Sequence, residues 1–428
     1  MRTVNLITLG CSKNLVDSER VLKMLADSGF EASHETSSPT DIVVVNTCGF
    51  IGDAKEESVN TILEQVEAKN LGHIKELYVM GCLSERYRQD LQKELPEVDR
   101  FYGKFDWTSL VTDLTRRHPG AISYDRVITT PSHHAYLKIA EGCNRFCAFC
   151  AIPLITGRYK SRPIEEIEEE VRTLVARGVK EFNVIAQDLS GYGQDLYGEL
   201  KLPELVDRLA DIDGVKWIRL HYAYPTEFPR GLLDVMARRE NVCTYLDIAL
   251  QHISDNVLNN MRRHISADET RSLLAEMRRK VPGIHIRTTL MVGFPGETDE
   301  DFNELLDFVK EQRFERMGAF AYCEEDDTFA ARNYTDNVPE DVKQERLDRL
   351  MALQEEISME IQQEKVGQTL EVVIDREEDD FYIARTQWDS PEVDPEVLVK
   401  KTRELQPGMF CNVIITEAMP FELIAIPE

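Results

Sequence analysis

Three cysteines within eight residues constrain this chain more than any other feature. They lie in Glu141-Gly142-Cys143-Asn144-Arg145-Phe146-Cys147-Ala148-Phe149-Cys150. Thiolates this close in one loop converge on a soft metal. A zinc site draws a second pair of ligands from a knuckle further along, and no such pair follows. Three thiolates without a fourth suit an iron–sulfur cubane with one iron left open. Three structural cysteines are the plainer reading, but a loop that also carries Gly142, Asn144 and Arg145 does not have the composition of a core.

The chain before this loop alternates strand and helix patterns. Val4 to Leu9 is apolar and ends at Gly10-Cys11; Ile42 to Val45 ends at Asn46-Thr47-Cys48-Gly49; Leu77 to Met80 ends at Gly81-Cys82. Helical patterns follow each, the second over about Ala54 to Ala68 and the third from near Glu85. Such alternation predicts a doubly wound parallel sheet. Strand carboxyl ends in such a sheet share one edge, where ligands bind. Cys11, Cys48 and Cys82 would therefore converge, giving a second iron–sulfur site with three protein ligands. One cysteine in a strand-to-helix turn is ordinary; three on successive strands are not.

Residues from about Arg117 to His134 read as a linker, with His133 and His134 as adjacent histidines expected to face solvent rather than ligate metal. Strand and helix patterns then resume. Tyr136 to Ala140, Glu181 to Ala186, Trp217 to His221, Tyr245 to Gln251 and Ile284 to Val292 read as strands of a parallel barrel, complete or open, with its chemistry at the carboxyl ends. The loop Gly293-Phe294-Pro295-Gly296-Glu297-Thr298 lacks the lysine of a phosphate loop and reads as a turn with a helix cap. Pro339 opens a charged helix to about Val366, whose apolar positions suit packing. After it, Thr369 to Ile374, Phe381 to Gln387, Met409 to Ile415 and Phe421 to Ile426 predict a small antiparallel barrel.

Charge narrows the partners. The 428 residues carry 77 acidic and 50 basic side chains, a net of −27, which opposes binding to phosphate backbones and favours basic partners. From Val366 onward fourteen acidic residues face five basic ones, six of the acids between Glu371 and Asp380. That face suits a basic protein better than an oligonucleotide, unless the charge only solvates the surface. No apolar run approaches the ~20 residues of a membrane span, and the start shows no signal-peptide pattern. With nine cysteines, an odd number, a reduced cytoplasmic setting with metal ligation is expected rather than disulfides.

On the Cys143–Cys150 spacing with Phe149, the loop resembles the signature of radical S-adenosylmethionine (SAM) enzymes. End to end, the chain resembles the methylthiotransferases of that superfamily. Gly10-Cys11-Ser12-Lys13-Asn14-Leu15-Val16-Asp17-Ser18-Glu19, Asn46-Thr47-Cys48-Gly49-Phe50-Ile51 and Trp388-Asp389-Ser390-Pro391-Glu392-Val393-Asp394 resemble the branch acting on an aspartate of ribosomal protein S12. The resemblance implies three domains: an N-terminal methylthiotransferase domain at 1–118, a radical SAM partial barrel at 132–362 and a TRAM barrel at 364–428. It implies two 4Fe–4S clusters, one on Cys143, Cys147 and Cys150 with SAM on its open iron, the other on Cys11, Cys48 and Cys82. A radical made from SAM would take hydrogen from the aspartate β-carbon, sulfur would come from the second cluster, and a second SAM would supply methyl. The cofactors carry the hard chemistry while the protein places them. An electron-donor protein and the S12 substrate, free or on the small ribosomal subunit, are the implied partners.

Gln187, Asp188, Gln251, Arg287 and Gly293, at predicted strand ends, join Phe149 as expected SAM contacts. Thr156 stands where the family often has Arg, with Arg158, Lys160 and Arg162 nearby. Cys243, Cys323 and Cys411 match no cluster position. Two other readings share part of this pattern: the sister reaction on a tRNA adenosine, and a non-catalytic iron–sulfur binding protein.

Overall fold

A computed structural model describes residues 2–115 and 125–428; the first part of the expected linker falls outside them. The chain forms two compact units. The first comprises Met1–Thr129, Glu141–Asn144 and Cys150–Tyr159. Its five-stranded sheet runs Glu31–His34, Thr3–Thr8, Ile42–Thr47, Glu76–Gly81, Arg100–Phe101 across, and every pair is parallel. The central strand Ile42–Thr47, β-branched except at Asn46, is wholly buried because both faces are covered. Ile42 and Val44 pack with Val21, Leu25 and Leu110 on one face; Val43 and Val45 pack with Ile62, Leu77 and Leu83 on the other. The two edge strands escape the sequence reading: one is polar and the other two residues long. The third helix starts at Cys82 itself rather than near Glu85.

The second unit comprises Thr130–Ala140, Arg145–Phe149 and Lys160–Glu428. Six parallel strands, His134–Lys138, Glu181–Ile185, Trp217–Ala223, Val242–Gln251, His285–Val292 and Arg316–Ala321, lie side by side in chain order. Sequential order is that of a barrel wall, whereas a doubly wound sheet reverses at a switch point. Thr298 caps the helix Asp299–Gln312 through a capping box with Asp301, so the Gly293–Thr298 loop is the expected turn and cap. The helix Glu340–Gln363 buries a mixed stripe, Lys343, Arg346, Leu350, Gln354 and Ile357. Two of its polar members are tied to neighbours: Arg346 pairs with Glu297 (2.7 Å) and Asp299 (2.8 Å), and Gln354 donates to Phe314 O (2.9 Å).

The C-terminal strands close a barrel in the order Thr369–Glu377, Phe381–Thr386, Glu396–Lys400, Glu422–Pro427, Phe410–Met419. The sequence reading misses Glu396–Lys400. That strand pairs antiparallel with Phe381–Thr386 and parallel with Glu422–Pro427, so one pair departs from the antiparallel pattern.

This barrel docks on the amino ends of the six-stranded sheet. Glu181 accepts from Arg385 (2.9 and 2.8 Å) and Arg219 (2.9 Å), all three fully buried. Arg316 pairs with Asp389 (2.6 Å), Tyr245 donates to Asp394 (2.8 Å), and Trp388 stacks on His285 at 4.4 Å. His133 and His134, expected in solvent, are buried here. His133 Nε2 lies 2.8 Å from Asp375, and burial beside Arg385 pushes His134 down to about 4, keeping it neutral. The ligating atoms of His133, His134 and Asp375 lie within 4.8 Å of one another. Yet Arg385 already neutralises Asp375, and Arg219 and Arg385 balance Glu181 and Asp375. A divalent cation would be uncompensated there, so the cluster is a hydrogen-bonded junction.

Candidate functional site

Cys11, Cys48 and Cys82 follow three strands that are neighbours in the first sheet, with Thr8 opposite Asn46 and Thr47 opposite Gly81. Two of the thiols stand at helix starts. Cys11 is the N-cap of Ser12–Asp27, and Cys82 is the first residue of Cys82–Glu94. Helix N-termini favour thiolate and hence metal ligation.

The turns are held by buried polar side chains. Asn14 donates to Leu9 O (3.0 Å) and Thr47 O (3.1 Å), tying the first turn to the second. Asn46 donates to Asn14 O (3.0 Å) and Ser18 Oγ (2.9 Å). Thr47 Oγ1 donates to Met80 O (2.6 Å), fixing the third turn. Ser58 accepts from Cys48 N–H (3.0 Å) and donates to Cys48 O (2.9 Å). Asn14, Asn46 and Thr47 stand within the motifs that carry the resemblance, and the structure supplies their role.

Burial pushes the Cys48 thiol up and Cys82 up to about 12, the latter against the pull of Lys104. At Cys11 burial also acts upward, but Lys13, Lys104 and the helix amides outweigh it and hold the thiol below its ordinary value. Mostly neutral thiols in a dry pocket release their protons when a metal takes their place. Three soft donors on one sheet edge, with helix N-termini behind two of them, fit a cluster with three protein ligands.

Cys143, Cys147 and Cys150 share one loop. In the first unit Cys143 N–H donates to Gly157 O (3.2 Å). There too, Ala151 and Ile155, which follow Cys150, pack against Cys82. In the second unit Ala148 N–H donates to Met261 O (2.9 Å) and Ala148 O accepts from Ala330 N–H (2.7 Å). The Cys147 sulfur accepts from Arg263 Nη1 (3.2 Å) and lies 3.5 Å from Tyr224 Oη. Arg145 and Arg263 each lie over the Tyr224 ring, at 4.5 and 4.0 Å, and Arg145 donates to Asp188 (2.7 Å). Arg263 and Tyr224 escape the sequence reading. Their only signal is the dibasic Arg262-Arg263, which does not say what it faces.

A sequence model described as the radical SAM superfamily matches residues 137–309. One described as uncharacterized protein family UPF0004 matches 3–103, and a TRAM domain model matches 366–427. Ribosomal protein uS12 methylthiotransferase RimO of Phocaeicola vulgatus is 60% identical over 425 residues, covering 99% of this chain and 98% of that protein. The protein of the same name in Parabacteroides distasonis is 60% identical over 421 residues, covering 98% of each. The chain belongs to the ribosomal protein uS12 methylthiotransferase family.

Among solved structures, the radical SAM methyltransferase TsrM of Kitasatospora setae matches with a TM-score of 0.57 at 16% identity, over 75% of each chain. The cobalamin-dependent radical SAM enzyme OxsB matches with a TM-score of 0.52 at 12% identity, over 83% of this chain and 56% of that one. At such identities they speak to the fold alone.

In this methylthiotransferase the expected SAM contacts divide. Gln187 follows Glu181–Ile185, Gln251 ends its strand with a left-handed φ of 72°, and Gly293 follows Val292 with φ 75°. All three stand at carboxyl ends. Phe149 meets Phe294 edge-on at 6.3 Å, next to Gly293. Asp188 is taken up by Arg145 and by the Ser190 amide (2.8 Å), which makes it a holder of the cysteine loop. Arg287 stands apart from the other three. It is the third residue of its strand, at the amino end, and faces Asp394 (3.3 Å) and Asp247 (3.5 Å). Thr156 donates to Ile152 O (3.0 Å), and Arg162 is held by Lys138 O (2.7 Å) and Glu170 (2.7 Å). Cys243 lies in the core beside Trp217 and Tyr245, Cys411 packs on the terminal barrel's core, and Cys323 is exposed.

The Gly10 position yields a prediction. A Cβ there would stand 2.6 Å from Cys48 Cβ and 2.7 Å from its sulfur, at a φ of +88°. If each cysteine trio holds a cluster, Gly10→Ala in this methylthiotransferase should lose the one at Cys11, Cys48 and Cys82, lowering iron per chain to about half. Iron analysis beside a circular-dichroism spectrum of unchanged shape checks it.

Proposed function

We propose that this chain methylthiolates the β-carbon of an aspartate in ribosomal protein uS12, using one cluster on Cys143, Cys147 and Cys150 and another on Cys11, Cys48 and Cys82. When bound, the clusters and SAM supply the electron, the hydrogen-abstracting radical, the sulfur and the methyl group. The observation that carries the reading is the packing of Ala151 and Ile155 on Cys82, which brings the chain beside Cys150 to the second thiol set. An unactivated C–H bond offers no handle for acid–base catalysis, so the protein's part is placement and exclusion of water.

Gln187, Gln251, Gly293 and Phe149 line the carboxyl ends where SAM would lie. Arg263 holds a buried positive charge on the Cys147 sulfur and so orients that ligand. Phe50, Ile51 and Leu154 expose apolar surface next to cluster cysteines, suited to a peptide segment. On the terminal barrel Glu371, Glu377, Glu378, Asp379 and Asp380 are exposed, whereas Asp375 is spent on the internal junction. That acidic rim favours a basic protein and slows wrong, polyanionic partners. In this reading residues 1–118 carry the second thiol set, 132–362 the SAM-binding barrel and 364–428 the acidic barrel.

Mass spectrometry of uS12 from a strain lacking the enzyme tests the reading. Loss of methylthio-aspartate supports it. Its persistence, with a tRNA modification lost instead, would replace it with the sister reaction.

A further inference from the structure

Lys104 is a buried cation that neither the cysteine pattern nor the resemblance singles out. Its side chain is 2% exposed, and Nζ donates to Asp17 (3.1 Å) and to Asn14 Oδ1 (3.4 Å). The Cys82 sulfur donates to the same Asn14 oxygen (3.6 Å). The ammonium and this thiol therefore share one contact atom, at most about 7 Å apart. Asn14 is also the side chain that ties the Cys11 turn to the Cys48 turn.

We infer that Lys104 is the resident counter-cation of the Cys11, Cys48 and Cys82 cluster, a positioning residue that stabilises the cluster's more negative state. Three thiolates make any such cluster anionic, and each added electron or sulfide makes it more so. In a dry interior a fixed positive charge at this range changes such an equilibrium by more than tenfold. Burial works against the charge on Lys104, but Asp17, Glu141, Cys82 and Cys11 outweigh it and hold the ammonium protonated. Asp17, 3.1 Å from Nζ, offsets part of this charge, while Asn14 Oδ1 is the atom that the thiol shares with the ammonium. A plain Lys–Asp core pair is the alternative, and it requires no effect on the cluster.

The inference rests on the two-cluster reading, and the test separates them. Full-length chain carrying Cys143→Ala, Cys147→Ala and Cys150→Ala is the parent, holding only the second cluster. Iron content and the midpoint potential from an EPR-monitored one-electron titration are measured in it. They are then measured after adding Lys104→Met, Lys104→Arg, or the charge-free pair Lys104→Met with Asp17→Leu, which keeps the core neutral if the single change fails to fold. The expected result is a more negative potential in Lys104→Met, at least tenfold in the reduction constant, which is about 59 mV for one electron, and a smaller shift of the same sign in the charge-free pair. Arg should restore it. Loss of iron in Lys104→Met with retention in Lys104→Arg also supports the charge. An unchanged potential with full iron, or equal iron loss in Met and Arg variants, overturns it. A parent without iron overturns the two-cluster reading and this inference with it.

Discussion

Replacing Cys147 by Ala should reduce 5′-deoxyadenosine formation from SAM to background while leaving about half of the iron in place. The two sets of thiols come from separate parts of the chain. Cys11, Cys48 and Cys82 stand on three strand ends held by Asn14, Asn46 and Thr47, none of which touches Cys147. Cys147 instead receives Arg263 and adjoins Tyr224. Removing its sulfur leaves that guanidinium without its soft acceptor but does not disturb the other turns. Deoxyadenosine measured by liquid chromatography, with iron and sulfide analysis on the same sample, checks the split. Complete loss of iron would mean the ligands are partitioned differently.

The second large effect is on stability. Glu181→Ala should destabilise the chain by about 3–5 kcal/mol, because it leaves Arg219 and Arg385 buried side by side with one carboxylate fewer. Arg385 would keep Asp375 (2.6 Å), whereas Arg219 would keep only backbone oxygens of Gln387 and Thr386. Removing Glu181 should therefore cost far more than removing an exposed acid such as Asp379, which should change stability by less than about 0.5 kcal/mol. Urea unfolding of both variants measures the contrast. Equal midpoints would show that the junction is not a load on stability.

What could be read from the sequence follows from how local each signal is. Cysteine carries its chemistry in its identity, so three in eight residues and three after successive strands were visible without any contact map. The pins behind them were not. Asn46 reaches Asn14 across 32 positions, and no periodicity records such a bond. Arg287 shows the same limit from another side: a strand's pattern reveals its faces but not how far along it the ligand end begins. The C-terminal motif Trp388–Asp394 carried the resemblance, yet its side chains serve to hold the terminal barrel on the strand amino ends. The polar surroundings of His133 and His134 in sequence point to solvent, whereas long-range packing buries them, His133 against Asp375. The strand Glu396–Lys400 was hidden because only two of its five residues are buried.

The most direct measurement is a reconstituted reaction with purified uS12, SAM and a one-electron reductant, following deoxyadenosine and the mass of the aspartate-bearing peptide together. The expected result is deoxyadenosine accompanied by a methylthio-aspartate peptide in the wild-type chain. Deoxyadenosine should persist without the modified peptide in Cys48→Ala. Methylthio-aspartate formed by Cys48→Ala at the wild-type level would contradict the assignment of Cys11, Cys48 and Cys82 as the source of the sulfur.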